Sequence, residues 1–167
     1  MAVTRIFPSV PATGGSAARG EAATLAALLA VEHAAVYACG AAGGALAVTG
    51  PGGRAARALA QAAYIDHARL RDNLMARIGD LGGQPPAARP AYQLPIDPAG
   101  VVPALALLAA VEDRTCAAAH DAVGPLTTPA DRALVCDTLA GAAVRAQRAR
   151  RAAGLSPARA SGPFPGV

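Results

Sequence analysis

Lysine and tryptophan are absent from this chain of 167 residues, and no two cysteines stand close enough to form a CxxC pair. All 15 basic residues are therefore arginine, set against 11 acids. Together with 47 alanines, 18 glycines and 14 prolines, this reads as the bias of a GC-rich bacterial genome, so arginine counts carry little functional weight. Aromatic residues make up 3%, which disfavours base-stacking platforms for single-stranded nucleic acid and most β-rich folds, whose strands favour aromatic and β-branched side chains. Cys39, Cys116 and Cys136 lie far apart, so neither a disulfide framework nor a zinc site is expected. Residues 1–20 hold no apolar stretch of signal-peptide length. Residues 34–53 carry no charge over a length that could span a bilayer, but Gly40, Gly43, Gly44 and Pro51 interrupt it. The expectation is a soluble, cytoplasmic protein without a membrane span. No strand precedes the glycine clusters, so nucleophile-elbow, phosphate-loop and dinucleotide readings fail.

What is present is helix. Proline and glycine divide the chain into four alanine-rich blocks, each too long and too free of breakers to be a strand. They predict helices over 21–47, 54–81, 98–123 and 128–153. Asp97-Pro98 and Thr128-Pro129 read as N-caps followed by proline in the first turn. Residues 1–20 and 154–167 read as loose arms around one domain over 21–153.

The connection over 82–97 is long and carries Pro85, Pro86, Pro90 and Pro95. A helix of about 26 residues is roughly 39 Å long, and some 16 proline-stiffened residues at about 3.1 Å each reach roughly 50 Å. The loop can therefore run the length of the molecule, which predicts an all-α, up-down-down-up four-helix bundle with one crossover between helices 2 and 3.

Heptad spacing then brings polar groups inward. The first helix aligns Leu25, Leu29, Glu32, Val36, Cys39 and Leu46. The second aligns Leu59, Ala63, His67, Leu70, Leu74 and Ile78, and the third Val101, Leu105, Leu108, Glu112, Cys116 and Ala119. Glu32, His67 and Glu112 each sit near the middle of their helix. Two carboxylates and an imidazole enclosed together must share a proton, form charged hydrogen bonds with an imidazolium, or ligate a cation.

The stretches Leu28-Leu29-Ala30-Val31-Glu32-His33, Asp66-His67-Ala68-Arg69-Leu70 and Ala109-Ala110-Val111-Glu112-Asp113-Arg114, with the proline-rich crossover, resemble an uncharacterised ferritin-like family of high-GC bacteria, known as a domain of unknown function. The resemblance implies a ferritin-like bundle over 21–153. In metal-bearing ferritin-like proteins the ligands are a Glu from helices 1 and 3 and an ExxH from helices 2 and 4. Glu32, His67 and Glu112 match three of these. Tyr64 stands where the second helix would supply a Glu, and the fourth helix offers Gly141 and Ala142 at mid-height, with no Glu or His. The di-iron set is incomplete, so the chain reads as a non-catalytic structural or interaction bundle whose polar slice satisfies itself by Glu-His-Glu hydrogen bonds, with Tyr37 or Tyr64 as further partners.

An alternative is a mononuclear Fe or Mn site of Glu32, His67 and Glu112, completed by water, Asp66 or His33. A second alternative places nucleic acid on Arg145, Arg148, Arg150, Arg151 and Arg159, which follow Asp137 without an acid; the simpler reading of these is a solvated last helix. His33 reads as a helix-interface group and His120 as a surface one. Cys116 and Cys136 fall at similar heights and could form a thiol pair. Small residues at Ala34, Ala35, Ala38, Gly40, Gly43 and Gly44 would admit a second copy in a homodimer.

Overall fold

The structure, a computed structural model, describes residues 13–46 and 50–161. Among these, five helices and no strand occur: α1 Thr13–Ala45, α2 Gly50–Asp80, α3 Val101–Val123, α4 Pro129–Ala152 and the single turn α5 Pro157–Ala160. The all-helical expectation holds, and the four long helices pack side by side in a bundle-like arrangement.

Several boundaries differ from expectation for local reasons. The first helix starts eight residues before position 21, so residues 13–20 of the expected arm are helical; alanine-rich sequence costs little to add as helix. The rest of that arm, residues 1–12, lies outside the described residues, as do the turn residues 47–49 and the tail end 162–167. Helix α2 takes in Gly50 and Pro51, which were expected in the turn, because proline fits a first helical turn that needs no amide donor. Helix α3 starts at Val101, not at Pro98, and its cap is Gly100 with φ 105°, a conformation that glycine adopts at low cost; the Asp97-Pro98 cap is not used. At α4 the Thr128-Pro129 signal is correct, yet Thr128 makes no side-chain cap bond. Its hydroxyl donates instead to Glu21 Oε2 at 2.7 Å.

Two apolar clusters fill the interior. One joins Ala38, Ala42 and Leu46 of α1 to Ala56 and Ala60 of α2, Leu105 and Leu108 of α3, and Ala149 of α4. The other joins Leu25 and Leu29 of α1 to Leu74 and Ile78 of α2, Ala119 and Ala122 of α3, and Val135 of α4. Each cluster thus gathers one end of all four helices, and the mid-helix polar residues fall between them. Alanine lets the helices approach closely: an added Cβ at Gly43 would stand 3.7 Å from Ala60 Cβ, and one at Gly40 3.8 Å from the Tyr64 ring. Of the small residues expected to receive a second copy, Gly40 and Gly43 face Tyr64 and Ala60 of α2 and Ala35 and Ala38 are buried, while Gly44 has nothing near it and Ala34 is half-buried. By length and composition α1 could cross a membrane, and half of its most apolar window is buried within the bundle.

Polar ties fix the ends. Glu21 Oε1 accepts from the amides of Thr127 and Thr128, each at 2.7 Å, and from the Thr127 hydroxyl at 2.6 Å, clamping α1 onto the α3–α4 turn. Hydrogen bonds from Thr127 and Thr128 hold the Glu21 carboxyl down at about 2. Arg77 grips Asp131 through Nε and Nη2 at 2.8 to 3.0 Å, joining the end of α2 to the start of α4. The C-terminal tail, expected to be loose, turns at Gly154 with φ 95° and returns as α5, burying Ala160 completely, while Gln147 Nε2 donates to Ser161 Oγ at 2.7 Å.

Candidate functional site

The bundle's mid-section holds one ionisable side chain from each long helix. Glu32, His67 and Glu112 are exposed by 0%, 0% and 1%, so the structure brings together all three residues singled out in the sequence. The His67 Nδ1–H donates to Glu32 Oε2 at 2.7 Å, and Thr115 Oγ1 donates to Glu32 Oε1 at 3.4 Å. On the opposite edge of the ring, His67 Nε2 faces Glu112 Oε1 at 3.3 Å. The fourth member is Arg145 of α4, whose Nε–H donates to the same Glu112 Oε1 at 2.8 Å and whose Nη1 stands 3.6 Å from Asp66 Oδ2.

These contacts set the charge of the slice. Burial disfavours a charged imidazole, but the contacts with the Glu112 and Glu32 carboxylates outweigh it and raise His67 to about 9. His67 is thus an imidazolium at neutral pH, with a carboxylate on each ring nitrogen. Two carboxylates facing an imidazolium and a guanidinium balance in charge, as a buried ionic cluster requires. Burial, reinforced by the Glu112 charge, pushes the neighbouring Cys39 thiol up to about 12, and burial with the Asp113 charge pushes Cys116 to about 11. Both thiols are protonated and unreactive at neutral pH.

Arg145 is the residue that sequence reasoning placed wrongly, as part of a solvated helix face. It reaches inward because Gly141, one turn earlier, leaves room: a Cβ there would stand 3.1 Å from Arg145 Nη1. Arg150 is likewise taken up by an acid, pairing with Asp113. Tyr37 and Tyr64 are 39% and 43% exposed and do not reach the cluster; Thr115 and Arg145 supply the additional bonds. His33 Nε2–H donates to Pro86 O, 3.0 Å away on the crossover, and Asp66 meets Arg145, so neither is turned to His67. His120 is on the surface beside Asp121. The Cys116–Cys136 pair does not form: all three cysteines are free, Cys136 is exposed, and Cys116 Sγ donates to Leu139 O at 3.7 Å.

The donor set does not fit the resident Fe or Mn that the ferritin-like resemblance implies. Glu32 and Glu112 contact different ring nitrogens, so an ion on His67 Nε2 would reach Glu112 and leave Glu32 behind the ring as an orienting partner. Arg145 already occupies a Glu112 oxygen. Among the described residues, no three His, Cys, Asp or Glu side chains are grouped to hold an ion. Two buried atoms, His67 Nε2 and Glu112 Oε2, lack a hydrogen-bond partner, and Glu112 lines a cavity of about 70 Å³ together with Asp66, Arg145 and Arg148. That space suits a water better than a ligated ion, given the adjacent guanidinium.

A family model described as "Domain of unknown function (DUF4439)" matches residues 23–167. Among solved structures, the chain is similar to a conserved hypothetical protein, rv2844, from Mycobacterium tuberculosis. The identity is 30%, the TM-score is 0.73, and the match covers 84% of this chain and 95% of that one. No curated protein matches.

Proposed function

The chain belongs to the DUF4439 family, and from that premise we propose that it is a ferritin-like, up-down-down-up helical bundle. In it an ionic network replaces the metal centre, and the protein serves a non-catalytic, structural or interaction role. The topology is supported by the two apolar clusters, each of which gathers the late part of α1 and α4 with the early part of α2 and α3, or the reverse. The long crossover, residues 82–97 by sequence, is the feature that this arrangement requires.

One observation carries the functional reading. Where ferritin-like metal proteins place a Glu and a His on helix 4, this chain places a cation, Arg145, 2.8 Å from Glu112. Arg145 supplies the positive charge that a metal would otherwise bring to the two carboxylates. The nucleic-acid alternative has less support, because Arg145 and Arg150, two of the five arginines after Asp137, face acids within the fold.

Elemental analysis of protein purified without chelators tests the reading. Substoichiometric iron and manganese are expected, along with a melting temperature unmoved by added Mn²⁺ or by EDTA, since a ligand that binds only the folded state must raise it. One iron or manganese per chain, lost in Glu112→Gln, would overturn the proposal in favour of a metal protein.

A further inference from the structure

The crossover loop, α1 and α3 line a half-open cavity of about 550 Å³ with no α2 residue in its wall, within the range of about 300–1,000 Å³ typical of small-molecule sites. We propose that this cavity binds a small amphiphilic anion, a carboxylate or similar headgroup on a short apolar body. The inference is independent of the role assigned to the buried network.

Three features carry it. The floor is apolar, made by Ala30, Ala34 and Ala38 of α1, Val111 of α3 and Leu94 of the loop. The charged groups in the lining are of one sign, Arg89 from the loop and Arg114 from α3, with no acid among them. Among the described residues, neither guanidinium is engaged in an ion pair. Two free guanidinium groups beside an apolar floor complement an anion with a hydrocarbon tail, because arginine binds carboxylates through paired donors.

The wall is also preformed. His33 bonds Pro86 O at 3.0 Å, Tyr92 packs on Tyr37 with ring centroids 5.6 Å apart, and the Arg89 amide donates to the Tyr92 hydroxyl at 2.9 Å. A long connection without helix or strand inside a compact domain calls for a reason, and forming one side of this cavity supplies it. Prolines at 85, 86, 90 and 95 lower the entropy lost when the loop is held around a ligand.

The test is a titration of the full chain with octanoate, octanol and octylammonium, followed by backbone amide NMR. Octanoate should saturate, shift amides around Ala34, Leu94 and Val111, and bind more tightly than either control. The double variant Arg89→Gln, Arg114→Gln should weaken octanoate roughly tenfold, the loss of one exposed charge-assisted contact or more, and leave octanol unchanged. Ala34→Phe should abolish binding by filling the floor; its amide spectrum will show whether the fold is kept. Equal binding of octanol and octanoate, insensitivity to both arginines, shifts elsewhere on the molecule, or no saturation would each overturn the assignment.

Discussion

Arg145 and Glu112 meet across the α3–α4 interface, with the guanidinium Nε 2.8 Å from a carboxylate that is 2% exposed. That contact completes a chain of charge running Glu32, His67, Glu112, Arg145 through one member of each long helix. Removing Arg145 leaves Glu112 with only the imidazolium. Breaking a buried pair by deleting one partner costs about 3–5 kcal/mol, and the partial exposure of Arg145 puts the expected loss for Arg145→Ala near the lower limit. Urea unfolding checks this; a change below about 0.5 kcal/mol, the range of ordinary surface substitutions, would remove Arg145 from the network.

Gly141 and Arg145 should be coupled. Alanine in place of a helical glycine gains about 1 kcal/mol from propensity, but here the new Cβ would stand 3.1 Å from Arg145 Nη1, a group held by Glu112. Gly141→Ala is therefore expected to be neutral or destabilising in the natural chain and stabilising by about 1 kcal/mol in the Arg145→Ala background. A double-mutant cycle measures the difference, and equal effects in both backgrounds would show that Gly141 makes no room for the arginine.

The pH dependence has two limbs of opposite sign. His67 is raised to about 9 from an unfolded value of about 6.5, so its contribution is fully present below pH about 6.5 and is lost as pH rises through about 9. That contribution is of the order of 3 kcal/mol. Melting temperature should fall between neutral pH and pH about 10, and Glu32→Gln, which removes a carboxylate from the ring, should flatten the decline. A natural chain as stable at the alkaline end as at neutrality would contradict the charged imidazole.

Glu21 sets the acid limb. Its carboxyl, held at about 2 by Thr127 and Thr128, contributes stability that is present above the unfolded value of 4.5 and lost as pH falls toward 2. Glu21→Gln should be less stable than the natural chain at neutral pH and should converge with it in strong acid. Parallel curves for the two proteins across that range would show that the clamp on the α3–α4 turn does not depend on the charge.

Glu32, His67 and Glu112 were legible in the sequence because each interrupts an apolar stripe at helical spacing, and a stripe position fixes burial whatever the helix boundaries. Arg145 was not legible for two physical reasons. A long side chain reaches a centre that its own Cα does not face, and a chain whose every base is arginine hides one functional arginine among many. The available signal was a charge deficit: two enclosed carboxylates and one imidazole leave a net negative charge, and Gly141 four residues before Arg145 marks where a cation could enter. The α4 start was readable from Thr128-Pro129 because proline fixes the first turn. The α3 start was not, because Asp97-Pro98 has the form of a cap signal and only the backbone conformation shows that Gly100, with φ 105°, takes the cap instead.

The most direct test is the protonation state of His67 in the folded chain, read from the ring nitrogen and proton NMR signals of the natural protein against His67→Gln. The charged network predicts protons on both Nδ1 and Nε2 at neutral pH, with titration near 9. A single ring proton at pH 7, leaving Nε2 with a free lone pair, would contradict it and return that nitrogen to the role of a metal ligand.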